Sequence, residues 1–312
     1  MIKPEKLLKK DKIGIIAPAG AIKEPAMLDK AISNIKENGY QIELAPSLKK
    51  KKWYLAGEDK DRLCDLMSFF ENPEIKAIFV ARGGYGCMRL LDKIDYRLIR
   101  ENPKIFLGYS DVTALHFAFD KYSDLITFHG PLTVSDFGRN TLSEFTWQNV
   151  WQTLEGKFVV PYRLENAHQA ECINTGRVQG RILTGNLALM SALCGTRYTP
   201  DLHDRILFIE DIGESLYRID RSLIHLKLAG VFNQVRGVVF GEFTDIVRSD
   251  SKEVNKLSPL DIIKDIFQDI NIPVMYGFSC GHGENKTTIP QGVVCELDTA
   301  KGSVTILDEY LI

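Results

Sequence analysis

The chain has 312 residues, of which 45% are hydrophobic and 26% charged, and a formal net charge of −2. That length suits about two domains, and the apolar share is that of a globular protein, which excludes a disordered tail, a collagen-like fibre and a disulfide mini-scaffold. The near-balanced charge leaves no basic field for a nucleic-acid backbone, and no apolar run reaches the roughly 18 residues that a membrane-spanning helix needs.

The first residues are charged, but the apolar stretch 13–20 is short and contains Pro18, so it reads as a first buried strand rather than a secretory core. A strand over 13–17 is followed by helical spacing over 24–38 that stops at Gly39. Further strands fall at 77–81 and 105–108, each preceded by the turn tripeptide Glu-Asn-Pro, and the 30-residue spacing of those tripeptides fits one strand–helix–strand unit. Strands apolar on both faces belong in a parallel sheet covered by helices. A helix over 112–121 and a short strand ending at His129 follow. The polar segment 156–178 is expected to be a linker between a Rossmann-like parallel-sheet domain, 1–155, and a mixed α/β domain, 179–312. In the second part come a helix over 186–194, a strand over 205–210, and a helix with Leu216, Ile219, Leu223 and Leu226 on one face. Strands at 238–240, 273–277, 292–297 and 303–307 complete it.

In open parallel sheets, ligands bind beyond the carboxyl ends of the strands, and three such ends carry chemistry. Gly108-Tyr109-Ser110-Asp111 is a tight strand-to-helix turn that would push the Ser110 hydroxyl outward, with helix N–H groups near a developing oxyanion. The match to G-x-S-x-G is partial, because Val112 stands where the second glycine would be, and Ser110 or Asp111 would alternatively cap the helix. Ala81-Arg82-Gly83-Gly84-Tyr85-Gly86 brings backbone N–H groups close to a ligand but lacks both the P-loop and the dinucleotide patterns, which leaves an oxyanion donor, a carboxylate cradle or a plain tight turn. Gly281-His282-Gly283 sets an imidazole on a permissive backbone. Glu210, or its neighbour Asp211, would orient it. Ser110, Glu210 and His282 follow the serine–acid–histidine order of hydrolases on parallel sheets, with His129 the rival base. Cys64, Cys87, Cys172, Cys194, Cys280 and Cys295 form no C-x-x-C pair, which argues against a zinc or redox site and for a reducing cytoplasm. No metal-ligand spacing is present. Cys87 or Cys280 as nucleophile is a remote option.

Ala17-Pro18-Ala19-Gly20, the Arg82 to Gly86 motif, Gly108-Tyr109-Ser110-Asp111, Thr184-Gly185-Asn186-Leu187, Phe208-Ile209-Glu210-Asp211 and Gly281-His282-Gly283 occur in the order seen in LD-carboxypeptidases, the murein tetrapeptide carboxypeptidases to which microcin C immunity peptidases are related. The chain resembles that family from about residue 12 to 307. The resemblance implies a cytoplasmic serine peptidase, commonly homodimeric and cofactor-free, whose nucleophile maps to Ser110, acid to Glu210, base to His282 and oxyanion-hole amides to Gly84 and Asp111. It implies a murein peptide substrate, with a microcin-like acyl nucleotide as the alternative. A free terminal carboxylate on the substrate asks for a cationic subsite, for which Arg82 is the candidate, and Tyr109 and Trp53 are candidates to line the cleft. A reading of another class is a non-catalytic binder of small anions at Gly83-Gly84.

Overall fold

The computed structural model describes residues 1–251 and 253–312. The chain runs β1 (Lys12–Ile16), α1 (Pro25–Glu37), β2 (Gln41–Leu44), α2 (Asp59–Glu71), β3 (Ile75–Val80), α3 (Tyr96–Glu101), β4 (Ile105–Gly108), α4 (Thr113–Ser123), β5 (Phe128–His129) and α5 (Glu144–Leu154). It continues with β6 (Tyr162–Arg163), β7 (Glu171–Asn174), β8 (Arg177–Asn186), α6 (Leu187–Leu193), β9 (Arg205–Ile212), α7 (Leu216–Leu228), β10 (Gly237–Thr244), α8 (Pro259–Phe267), β11 (Val274–Tyr276), β12 (Ile289–Pro290), β13 (Val294–Asp298) and β14 (Ser303–Ile306).

The apolar strands lie where two-sided burial requires. β1, β3, β4 and β5 are parallel neighbours in a six-stranded sheet of order β12-β5-β4-β3-β1-β2. The chain order reverses between β1 and β3, so their carboxyl ends open a crevice at a topological switch point. A second, eight-stranded sheet has the order β6-β14-β13-β8-β9-β10-β11-β7, with β8 to β11 parallel at its centre. This is the α/β architecture expected, with a Rossmann-like first half and a mixed second half. The covering helices follow their apolar spacing: α1 starts on Pro25 and buries Leu28, Ala31 and Ile35, and α7 buries Leu216, Ile219, Leu223 and Leu226.

Two features depart from the expected organisation. The segment 156–178 is more than a linker: it carries β6 and β7, which pair with β14 and β11 at opposite edges of the second sheet. The C-terminal part is also not confined to one sheet, because β12 crosses back and pairs antiparallel with β5, Ile289 opposite His129. Strands of two to four residues are too short to show a period, so their partners, not their own sequence, define them.

Helix α4 joins the halves. It is buried on every face from Thr113 to Asp120 because it packs under its own sheet and against the second one. The Asn186 N–H donates to Thr113 Oγ1 at 3.0 Å, and the Arg205 guanidinium grips both oxygens of Asp120 at 2.6 and 3.0 Å. Within α4, His116 fixes the end of β4: its Nε2–H donates to Gly108 O, and Thr127 Oγ1 donates to its Nδ1, both at 2.8 Å. Burial pushes this imidazole down to about 4.

An unfolded histidine takes up its proton near pH 6.5, whereas folded His116 stays neutral to about pH 4. The unfolded state therefore binds more protons in that window, and stability falls as pH drops through it. Urea unfolding at pH 7 and pH 4 should show the wild type losing about 3 kcal/mol more than His116→Gln over this interval. His129, also held neutral by burial, contributes a share that both proteins keep.

Candidate active site

Ser110 sits in a strained turn. After β4, Tyr109 is extended at φ −148°, and Ser110 takes φ +67°, a left-handed conformation that side-chain-bearing residues rarely adopt. A single 3₁₀ turn, Ser110–Val112, then leads into α4. The turn reverses the chain so sharply that neighbouring backbone must come very close, and glycines permit it. A Cβ on Gly83 would lie 2.8 Å from both Cβ and Oγ of Ser110. A Cβ on Gly108 would meet Val112 at 3.1 Å, so Gly108 absorbs the crowding that a glycine at 112 would otherwise relieve.

The acid and the imidazole come from the second sheet. Glu210, near the end of β9, is wholly buried, and His282 Nδ1 lies 2.6 Å from its Oε2. A carboxylate only accepts, so Nδ1–H donates and Nε2 is left as the free acceptor of the neutral ring. Strand alternation turns Asp211 the other way. It accepts from Asn186 Nδ2 at 2.7 Å and from Ala188 N–H at 3.0 Å, at the start of α6. Burial, with Glu210 beside it, pushes the Asp211 carboxyl up to about 6. Gly281, at φ +95°, has no room for a side chain, since a Cβ would stand 2.5 Å from Glu210 Oε2. The Tyr109 ring meets the His282 ring edge-on at 4.7 Å, which puts the residue before Ser110 directly against the imidazole. Among the described residues no hydrogen bond joins Ser110 Oγ to the His282 ring.

The rival groups are engaged or shut away. His129 is 1% exposed, packs on the Tyr109 ring at 5.8 Å, and is held neutral by burial with the His116 and His282 rings nearby. Burial pushes both the Cys87 and the Cys280 thiols well up, away from the reactive thiolate. The Asp111 side chain accepts from Cys87 N–H at 2.8 Å and so braces the turn Cys87–Arg89 that follows the glycine-rich exit of β3. Among the described residues no cluster of three His, Cys, Asp or Glu side chains is arranged to hold a metal.

Beside Gly84, which has φ +108°, lies a cavity of about 480 Å³ lined by Lys23, Lys51, Trp53, Arg82 and Tyr85 among others, with no carboxylate in its wall. Arg82 Nη1 donates to Ala21 O at 2.7 Å, which holds its guanidinium at the cavity edge. Trp53 faces this cavity. Tyr109 is only 4% exposed and supports His282 from below instead of lining a cleft.

Sequence reasoning missed two buried cations that shape the site. Arg62 is fully buried and donates to the carbonyls of Pro18 and Gly86, tying the β1 and β3 exits together. Lys286 donates to Gly283 O beside the imidazole and pairs with Asp136 at 3.3 Å. Neither lies at a strand end, and each partner is distant in the chain or set by loop geometry, so no local pattern marks them.

Comparison with known proteins finds relatives along almost the whole chain. The LD-carboxypeptidase N-terminal domain model matches residues 13–130, and the LD-carboxypeptidase C-terminal domain model matches residues 179–297. A probable murein peptide carboxypeptidase of Bacillus subtilis is 36% identical over 307 residues, covering 97% of this chain and 94% of the relative. The crystal structure of a muramoyltetrapeptide carboxypeptidase from Oxalobacter formigenes superposes with a TM-score of 0.84 at 30% identity, covering 96% of this chain and all of that one. The structure of MccF in complex with glutamyl sulfamoyl guanosine superposes with a TM-score of 0.90 at 26% identity, each chain fully covered. With both domain models matched in order and a relative of this identity along almost its whole length, the chain belongs to the LD-carboxypeptidase family.

Proposed function

We propose that the protein is a serine carboxypeptidase that releases the terminal D-alanine of murein tetrapeptides. The observation that carries this reading is the Glu210–His282 pair, 2.6 Å apart, set against the strained turn that presents Ser110. Ser110 Oγ attacks the carbonyl that joins an L-configured centre to D-alanine, while His282 Nε2 takes the serine proton. The tetrahedral oxyanion is received by the N–H groups of Gly84 and Asp111. The left-handed turn at Gly84 and the start of α4 supply these donors, each worth roughly 10²–10³ in turnover. His282 returns the proton to the leaving amine, D-alanine departs, and an acyl-serine ester remains. Water, deprotonated by His282, hydrolyses that ester and restores Ser110. Glu210 holds the ring tautomer and stabilises its cationic form. Arg82, at the edge of the carboxylate-free cavity, receives the terminal carboxylate of the substrate. No cofactor enters the mechanism.

The same reading makes the protein a cytoplasmic homodimer, as the family resemblance implies, and its six free cysteines suit a reducing compartment. The second reading, hydrolysis of a microcin-like acyl nucleotide, draws on the similarity to MccF. The higher identity to the murein peptide relative favours the tetrapeptide.

D-Alanine release from a tetrapeptide, followed by mass spectrometry, tests the proposal directly. Ser110→Ala should fold normally and lose about three to six orders of turnover, and His282→Ala should behave alike. Near-normal release by Ser110→Ala would show that Ser110 is not the nucleophile, whereas no release by the wild type would leave a binder of small anions. Competition between a tetrapeptide and an acyl-sulfamoyl adenylate separates the two substrate readings. Gly83→Ala should cost about 10²-fold in turnover and lower the thermal midpoint, because its methyl would stand 2.8 Å from both Cβ and Oγ of Ser110 and displace the strained turn.

A further inference from the structure

One carboxylate beside the proposed base has no committed partner. Glu242 lies near the end of β10, where its N–H donates to Cys280 O at 3.3 Å, so the strand and the His282 loop run together. Gly283, next to His282, has no side chain where the Glu242 carboxylate lies, and a Cβ there would collide with it. Oε2 is closed off from solvent and accepts no hydrogen bond among the described residues. Oε1 faces His168 Nε2 at 3.6 Å, too far for a good hydrogen bond, and that imidazole is half-exposed. The other cation near it, Lys286, is already engaged by Gly283 O and by Asp136. Burial pushes the Glu242 carboxyl up. A partly buried acid with an orphaned oxygen is costly until a cation arrives.

We infer that Glu242 determines specificity: it receives an ammonium group on the side chain of the substrate residue whose carbonyl is attacked. This rests on the carboxypeptidase reading above. Oε2 lies against Gly283, so the oxygen that a side chain leaving the reacting centre beside His282 would meet is Oε1, on the side of the half-exposed His168. An amine on a four-carbon stem has the reach and charge to complete it. Lysine and diaminopimelate both offer such an amine, and a neutral side chain of equal length would leave the carboxylate unpaired.

The full-length protein is assayed for D-alanine release from three peptides, L-Ala-γ-D-Glu-X-D-Ala, with X as lysine, meso-diaminopimelate or norleucine. The wild type should favour lysine over norleucine by about 30-fold in kcat/KM, the size of one charge-assisted hydrogen bond. Glu242→Gln should erase that ratio by slowing the lysine peptide about 30-fold more than the norleucine peptide. Of the two amines, the one whose peptide is cleaved faster and is slowed more by Glu242→Gln is the source. Equal wild-type rates on lysine and norleucine would overturn the proposal, as would an equal loss on both peptides in the variant, which is the mark of a merely structural role. In either case D-alanine still appears, so the carboxypeptidase reading survives. Release from none of the three peptides would end both.

Discussion

The buried ion pair between Asp120 and Arg205 is the constraint on which the site depends. Asp120 lies in the helix that begins at the Ser110 turn, and Arg205 opens the strand that reaches Glu210. The pair therefore joins the far parts of the two elements whose near ends carry the hydroxyl and the acid. Both side chains are nearly excluded from water, so removing the charges from solvent costs several kcal/mol, offset by two short, parallel hydrogen bonds. What the pair supplies is orientation. The proposed proton transfer needs groups on two different sheets held to within about half an ångström, and a greasy contact between the same elements could slide.

A second brace acts on the imidazole. The chain leaving His282 is pinned to the first half by Lys286 on Asp136, by the Thr288 N–H on Asn149 Oδ1 at 2.7 Å, and by the pairing of β12 with β5. The His282 loop thus belongs by sequence to one half and by anchorage to the other. Between the braces, Ser110 holds a left-handed backbone that costs about 1–2 kcal/mol. The strain persists because the surroundings leave no alternative. Gly83 and Gly108 give up their side chains to make room, and the α4 turn starts immediately.

Relatives that share this frame differ in what they act on, as the names of the murein peptide carboxypeptidase and MccF indicate. Chemistry on such a scaffold is set by elements common to all, whereas selection is set by side chains at the rim of the cleft. In this chain a carboxylate-free basic cavity lies at Arg82, and beside the His282 loop lies Glu242, whose Oε2 accepts no hydrogen bond among the described residues. A substrate bearing both a carboxylate and an amine is complementary to that distribution of charge.

Much of this was legible in the residues themselves. β1, β3, β4 and β9 are apolar on both faces, and only a parallel sheet buries both, so their order, together with the rule that ligands sit at carboxyl ends, led to Ser110, to Glu210 or Asp211, and to His282 with His129 as its rival. The short strands β6, β7 and β12 were not legible, since two to four residues carry no period and form only because a sheet edge is waiting. Nor was the choice between Glu210 and Asp211 or between His282 and His129. In the structure Glu210, and not Asp211, lies on the face of β9 that meets the His282 imidazole, and His129 is buried against Tyr109. The sequence by itself determined the alternating α/β layout, the glycine-rich exits and the residue types at them, because these follow from local periodicity and backbone freedom. Only the tertiary structure decided that Asp120 grips Arg205, that Lys286 anchors Gly283 and that one oxygen of Glu242 accepts no hydrogen bond, because these depend on distances between residues far apart in the chain or on loop geometry that no local pattern encodes.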